Sequence, residues 1–386
     1  MNSKTPKVMV VGGGIAGLTA AWELSRQNIP VELVEKSCFL GGHSIGFTCK
    51  ATDSCRQCGA CSVEEMLKNV VEEPLINVHL RTEITSLEKG EGFKATLVKS
   101  DIGLEAGQVV RGFSQYNKPL YVVAGDAAQL PPETEVAETG NLDSLGTEGD
   151  IAVDAVIVAT GYTPFDPNLK STYGYGKWPN LITGLDLENI IRDRGALLRP
   201  SDGSKPSKVA FIQCVGSRDE RLGNLWCSEV CCPYAMRMAG TIKHDNPDAD
   251  ISMFYIDIQN TGKEFPVFYE KIKEDIRFVR TIPVDIYPLE NDRLELRHMV
   301  EDEGKPSSEE YDLVVLSVGI MPGKDTTAIS GITGIPVNND GFLDSPASDS
   351  GCFVAGTAGG PASIAATMAD AGKTAFEAMK YLGVMK

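Results

Sequence analysis

Positive charge, histidine and long apolar runs are all scarce in this chain of 386 residues. Lys and Arg total 36 against 53 Asp and Glu, a net charge of −17. A nucleic-acid groove needs clustered Lys and Arg to neutralise phosphates, so that class of partner is excluded. No apolar run approaches the roughly 20 residues that cross a bilayer, so any membrane link must come through a partner. No secretory leader precedes the first β-branched run, which sets the expectation of a cytoplasmic protein with reduced thiols. The four histidines, His43, His79, His244 and His298, are scattered without metal-ligand spacing. Only His43, beside Gly42, is a candidate for touching a cofactor. Solenoid repeats and low-complexity tracts are absent too. What is abundant is glycine: 39 residues, with 42% hydrophobic content. That composition excludes collagen, coiled coil and disorder, and points to an α/β protein of two or three domains with many tight turns.

The N-terminus carries the clearest local pattern. Val8-Met9-Val10-Val11 is a β-branched run, Gly12-Gly13-Gly14-Ile15-Ala16-Gly17 a glycine turn, and Leu18 to Leu24 an apolar-periodic helix. Asn28 and Pro30 end that helix before a second strand, Val31 to Glu35, which completes a βαβ unit. In this pattern Gly12 permits the tight turn, Gly14 lets the backbone approach a pyrophosphate, and Gly17 allows close helix-to-strand packing. The pyrophosphate then rests on the helix N-terminus, where free N–H groups and the helix dipole favour negative charge. Glu35, 18 residues beyond Gly17, is placed to accept from ribose hydroxyls.

Further along, Cys-rich residues 49–61 precede a predicted helix from Val63 to Val71. Residues 103–149 read as an excursion of strands and turns, with Val122-Val123 as one strand piece. Asp154 to Ala159 is a buried strand ending in Thr160-Gly161, and Pro164, Pro167 and Pro179 mark a linker. A second α/β section starts at Val209, with another strand from Ile251 to Ile258. Leu313 to Val318, ending at Gly319, repeats the strand-to-glycine design of 156–161. Cys352 to Gly356 and a helix from Ala362 close the chain.

Taken in series, Glu35-Lys36, Gly41-Gly42-His43, Ala159-Thr160-Gly161 and Phe353-Val354-Ala355-Gly356-Thr357 resemble the two-dinucleotide-binding-domain flavoproteins, the thioredoxin and glutathione reductase superfamily. The resemblance implies FAD as cofactor. It also implies a discontinuous FAD domain, residues 1–165 and 313–386, around an inserted middle domain at 166–312. The cofactor-binding candidates are Gly12, Gly14, Ala16, Gly17, Glu35, Lys36, Gly42, His43, Ala159, Gly161, Gly356 and Thr357. Thr357 stands where that superfamily has an Asp. The middle domain departs from the pattern, because Phe211-Ile212-Gln213-Cys214-Val215-Gly216-Ser217-Arg218 keeps one glycine where a nicotinamide nucleotide site needs three. Neither a nicotinamide nucleotide nor a dithiol exchange centre is expected there.

In its place stand Cys214-x12-Cys227-x3-Cys231-Cys232. Four thiolates suit either a tetrahedral zinc or a cubane iron–sulfur cluster. Adjacent Cys231 and Cys232 start in different directions, which is awkward for one ion and natural for two corners of a larger group. The segment Cys214 to Asp219 with Trp226 to Ala235 closely resembles the cluster motif of the heterodisulfide reductase A-subunit family, and the likeness extends over nearly the whole chain. It implies a [4Fe–4S] cluster on Cys214, Cys227, Cys231 and Cys232. The large members also carry ferredoxin-type cysteine runs. Here no cysteine lies between 61 and 214, and only Cys352 follows 232. In this the chain is similar to the short A subunits of the quinone-interacting membrane-bound oxidoreductase complexes of sulfate-reducing prokaryotes.

A second constellation, Cys49-x5-Cys55-x2-Cys58-x2-Cys61, lacks ferredoxin spacing and stays open between a second metal site and inert thiols. Cys38 and Cys352 read as core residues. The expected function is electron transfer without a catalytic side chain. The resemblance adds partner subunits bearing further clusters, a membrane quinone-reactive subunit, exchange between menaquinone and adenylylsulfate reductase, and a place at the inner face of the cytoplasmic membrane. The alternatives are an NAD(P)H-dependent flavin disulfide reductase, a heterodisulfide reductase A subunit of a soluble complex, and a zinc-stabilised scaffold.

Overall fold

The computed structural model describes residues 5–37, 39–100, 146–259, 265–300, 304–347 and 349–385, with the backbone of three short strands at Val109–Phe113, Pro119–Val123 and Glu135–Val136. Cys38 and most of the excursion at 103–149 lie outside the described residues; Val122-Val123 falls in one of those strands. Two compact units emerge. The first comprises residues 1–47, 59–163 and 322–386, the second 48–58 and 164–321.

Each unit is built on a five-stranded parallel sheet. In chain order the strands are β1 (Val8–Val11), β2 (Val31–Val34), β3 (Ile76–His79), β4 (Ala155–Val158), β5 (Leu181–Thr183), β6 (Lys208–Val215), β7 (Asp250–Phe254), β8 (Arg277–Val279), β9 (Leu313–Val318) and β10 (Cys352–Val354). The helices that matter for the sites are α1 (Ile15–Ser25), α2 (Ala60–Val71), α3 (Gly184–Arg194), α4 (Cys231–Asp245) and α5 (Ile364–Tyr381). Strands β1, β2 and β4 are buried along their whole length, as parallel strands covered on both faces must be. This explains why they are apolar without alternation.

The first sheet runs β10-β4-β1-β2-β3 and the second β5-β9-β6-β7-β8. In each, the chain leaves a central strand through a helix in one direction and later returns on the other side. The topological switch points are therefore β1/β4 and β6/β9, and ligands of open α/β sheets bind beyond the strand ends there. The helices that start at these points are α1, after the glycine turn, and α4, at Cys231.

The expected α/β class and two-nucleotide-domain architecture are borne out, and the strands and helices fall where the sequence puts them, with β7 shorter than the expected 251–258. The division of the chain differs at two places. β9 pairs with β5 and β6, so residues 313–321 go with the second unit rather than with the returning FAD segment. Residues 48–58 also join the second unit, through a buried ion pair of Lys50 with Glu188 on α3. Glu188 further accepts from the Thr48 N–H at 2.9 Å and hydroxyl at 2.6 Å.

Candidate cofactor sites

In the first unit the glycine turn packs with no room to spare except at one point. Gly12 holds φ +108°, and a Cβ there would lie 2.3 Å from the Ala159 carbonyl oxygen. A Cβ at Gly17 would lie 1.8 Å from the Gly12 carbonyl oxygen, so the close approach of α1 to the turn requires that glycine. At Gly14 a Cβ would meet no protein atom within 4 Å, although Gly14 is the N-cap of α1 and has no side-chain cap. The open space thus lies where the unsatisfied N–H groups of the helix point, and it fits a bound pyrophosphate.

The other candidates gather around this turn. Glu35 accepts from the Gly13 N–H at 2.6 Å and the Ser37 N–H at 2.7 Å, which leaves acceptor capacity on its carboxylate. Gly41 donates its N–H to the Gly13 carbonyl, and Gly42, at φ +56°, brings its backbone against Gly14. His43 stands apart from the turn and contacts Tyr162, with its Nε2 3.2 Å from the Tyr162 carbonyl. Gly356 packs against Ala16, where a Cβ would lie 2.7 Å from that methyl group, and Thr357 Oγ1 faces Gly161. Lys36 is turned into an ion pair with Asp325. One acid escaped sequence reasoning: Asp370 on α5 accepts from the Gly356 N–H at 2.8 Å. Thr357 replaced the expected Asp, and a carboxylate reaches the same strand end from 14 residues downstream. Its only sequence signal is an acid two turns into the final helix.

The second unit answers the same topology with thiols. β6 loses its register with β9 between Ile212 and Val215, and Cys214 sits there at φ +57°. Arg218 and Glu229 also hold positive φ, at +53° and +60°. Such conformations cost a side-chain-bearing residue about 1–2 kcal/mol each and persist where the surroundings enforce them. The enforcing contacts are visible: Arg218 forms a paired ion contact with Asp257, Asn224 Nδ2 donates to the Gly216 carbonyl at 2.8 Å, and Trp226 Nε1 donates to the Ile320 carbonyl at 2.9 Å. Cys231 and Cys232 form the first turn of α4, whose N-cap, Val230, supplies no side-chain acceptor.

Cys214, Cys231 and Cys232 are buried and Cys227 is half-buried. Burial pushes the Cys231 thiol well above its ordinary range, and the nearby Cys214, Cys232 and Cys227 push it further. Cys214 is raised to about 12 by burial, with Cys232 and Cys227 again adding. All four thiols therefore share one neighbourhood, and only a positive group among them would hold the buried Cys214, Cys231 and Cys232 as thiolates. They do not converge on one point. Cys231 Sγ lies 3.9 Å from the Val318 carbonyl and Cys232 Sγ 3.8 Å from the Asp257 carbonyl. Among the described residues no three His, Cys, Asp or Glu side chains are drawn together as for a single metal ion. A zinc site needs thiolates about 2.3 Å from one centre, so this splayed set suits a group with several metal corners better.

A second feature of this switch point supports a bound group. Among the described residues, every neutral hydroxyl or carboxamide buried without a hydrogen-bond partner belongs to Gln213, Ser217 or Ser317. Each orphan costs about 1–3 kcal/mol, and native proteins seldom leave one unexplained.

Of the remaining thiols, Cys49 and Cys55 are exposed and Cys58 is half-buried in the second unit; the exposed Cys61 opens α2 in the first. Cys55 and Cys58 lie near the half-buried Arg237 guanidinium, which donates to the Arg56 carbonyl at 2.7 Å. Burial raises Cys352 to about 11, in keeping with a core thiol. Among the described residues no helix is long and apolar enough to cross a membrane.

Comparison with known proteins identifies what this arrangement belongs to. Residues 10–53 match the NAD(P)-binding Rossmann-like domain. The A subunit of the H2:CoB-CoM heterodisulfide, ferredoxin reductase of Methanothermobacter marburgensis is 33% identical over 420 residues, covering 96% of this chain and 63% of that one. An iron-sulfur A subunit of the CoB–CoM heterodisulfide reductase of Methanopyrus kandleri is 30% identical, covering 98% and 64%. The chain is a homologue of heterodisulfide reductase A subunits. It spans a little under two thirds of the length of those relatives. The fold of this A-subunit homologue is that of the thioredoxin reductase-like flavoproteins. The T. acidophilum thioredoxin reductase superposes with a TM-score of 0.57 at 14% identity, covering 98% of both chains. The Lactococcus lactis enzyme gives 0.58 at 14% identity, covering 98% and 100%.

Proposed function

We propose that this A-subunit homologue is an electron-transfer component of a multi-subunit oxidoreductase, with FAD in its first unit and a [4Fe–4S] cluster in its second. The observation that carries this reading is the second switch point, where four neighbouring thiols and unpartnered polar side chains occupy the place of a nucleotide. Bound there, the flavin would supply electron storage in pairs or singly and the cluster transfer of one electron at a time. The residues of the chain bind and insulate. Gly12, Gly14, Ala16 and Gly17 take the pyrophosphate, and Glu35 the adenosine ribose, with Lys36 beside it. Gly42, His43, Ala159 and Gly161 lie toward the flavin, and Gly356 and Thr357 toward the ribityl chain. Cys214, Cys227, Cys231 and Cys232 hold iron, and the burial of Cys214, Cys231 and Cys232 keeps water from it.

Within the family the reading extends to the short A subunits that link the membrane menaquinone pool to adenylylsulfate reductase, at the inner membrane face, through partner subunits with their own clusters. Its support is the lack of any cysteine between 61 and 214, where the large members carry a ferredoxin-type insert. The relatives named for heterodisulfide reduction support the alternative acceptor, a heterodisulfide in a soluble complex. Anaerobic purification with iron, sulfide and flavin analysis, followed by EPR of the reduced chain, tests the core of the proposal. Four irons and one FAD per chain are expected; zinc in their place would overturn it. Adding NADH should not bleach the flavin, since residues 211–218 offer no second glycine turn, and fast bleaching would favour a disulfide reductase. With partner subunits present, reduction by a menaquinol analogue supports the membrane-linked assignment, and turnover with a heterodisulfide alone would replace it.

A further inference from the structure

The buried hydroxyl and carboxamide groups without a partner among the described residues all lie in the second unit, and they are not scattered. On β6, Val209 and Phe211 face the apolar cluster that contains Cys232, Ala235 and Met236 of α4, while Ala210 and Ile212 face the opposite cluster. On β9, Leu313 and Val315 face the α4 side and Val314 and Leu316 the other. Since side chains alternate along a strand, Gln213 and Ser317 continue the α4-facing rows on two adjacent strands, at their C-terminal ends. Ser217 reaches the same place by the loop: its Cβ and the Ser228 hydroxyl crowd Gly319, where an added Cβ would lie 3.0 Å from one and 2.9 Å from the other. Ser228 in turn hydrogen-bonds Cys231 and accepts from the Ile320 N–H at 2.8 Å. Gln213, Ser217 and Ser317 are 0%, 1% and 3% exposed, so water in bulk cannot satisfy them.

We infer that Gln213, Ser217 and Ser317 donate hydrogen bonds to the sulfur atoms of the group held by the four cysteines, and so set its reduction potential. The inference rests on the proposal that an iron–sulfur cluster occupies this site. The chemistry of the donor set selects it: hydroxyl and carboxamide groups can donate, sulfide and thiolate can only accept, and the three residues have no acceptor among the described residues. Adding an electron adds negative charge to the cluster, so each donor stabilises the reduced state more than the oxidised one. The electron comes from the physiological donor and no proton or bond changes hands at these residues. They act on potential, not as catalytic residues.

The test uses the full chain, loaded with FAD and cluster, in wild-type form and as Ser217→Ala, Ser317→Ala, Gln213→Leu and the triple variant. Iron, sulfide and flavin are counted, the cluster is titrated potentiometrically with EPR detection, and exchangeable protons coupled to the reduced cluster are read by ENDOR after transfer to heavy water. Full iron is expected throughout. Each single variant should lower the one-electron reduction equilibrium constant about threefold and the triple variant more than tenfold, where tenfold corresponds to 59 mV. The flavin potential, in the other unit, should not move. The Ser217→Ala spectrum should also lose one exchangeable proton coupling. Full iron with an unmoved cluster potential in the triple variant would overturn the inference and leave the cluster assignment standing. Wild-type iron that survives Cys231→Ala would overturn the cluster assignment beneath it. Should the triple variant load poorly, the proton couplings of the single variants decide the matter.

Discussion

The two parallel sheets share one wiring and treat their switch points in opposite ways. At β1/β4 the chain removes side chains, so that Gly14 leaves open space beside the bare N-terminus of α1. At β6/β9 it adds them, setting Cys214 at a positive φ where β6 loses its register and Cys231 and Cys232 on the bare N-terminus of α4. The helix dipole favours anionic charge in both places. What differs is who carries it. In the first unit a ligand phosphate would bring the charge to the backbone, and in the second the protein would supply it as thiolate sulfur. Under the proposed loading, a topology that can serve two nucleotides would serve one nucleotide and one metal group, changed by a handful of residues at one strand end.

The sharpest way to break this comparison is to exchange losses between the units. Cys231→Ala should abolish most of the iron and the EPR signal of the reduced chain while FAD stays near one per chain. Gly14→Val should give the converse, a colourless protein with its iron intact. Gly14 has an ordinary φ of −73° and a Cβ added there would meet no atom within 4 Å, so its substitution strikes the ligand and not the fold. Metal analysis and flavin absorbance read both; loss of both cofactors in either variant would mean that the two sites are not independent.

Next in size is the anchor of residues 48–58. Lys50 and Glu188 are 2% and 1% exposed and paired with each other. Lys50→Met leaves the Glu188 charge buried with only Thr48 to meet it among the described residues, and should cost about 3–5 kcal/mol in denaturant unfolding. The double variant Lys50→Met with Glu188→Leu should recover most of that loss, which distinguishes a buried charge from lost packing.

A smaller effect is expected at Gly216, at φ +86°, where a Cβ would lie 2.0 Å from the Phe165 ring. Gly216→Ala combines backbone strain with overpacking and should destabilise the second unit by about 2–3 kcal/mol, lowering its melting transition and leaving flavin content unchanged.

The smallest effect separates the units by pH. Burial alone would raise the Glu32 carboxyl, but His79, Lys7 and Asn77 outweigh it and bring it from 4.5 down to about 2. A depressed carboxyl stabilises the folded state above its unfolded value, and that contribution disappears as pH falls from about 4.5 toward 2. Glu32→Gln should therefore cost about 2 kcal/mol at pH 5 to 7, less than the full shift because Lys7 is partly in solvent. Urea titrations should show the gap between variant and wild type closing as pH drops through that window. A gap that widened in acid would reverse the sign assigned here.

The sequence by itself determined the elements whose cause is local. The glycine turn, the βαβ unit around it and the spacing of Cys214, Cys227, Cys231 and Cys232 are decided within spans of a few turns, because backbone freedom, helix period and side-chain reach act at that range. The α/β class and the family resemblance follow from them. Only the tertiary structure decided the rest. β9 belongs with β6 although about a hundred residues separate them, and sheet pairing at that distance leaves no periodic trace in either strand. Asp370 reaches Gly356 because α5 folds back over the strand it follows. Lys50 looks like an ordinary surface cation until Glu188 is found beside it. Gln213, Ser217 and Ser317 are ordinary polar residues in a sequence, and their meaning lies in being buried together with no partner among the described residues. Burial and the lack of a partner are properties of a place in space, and no spacing along the chain encodes them.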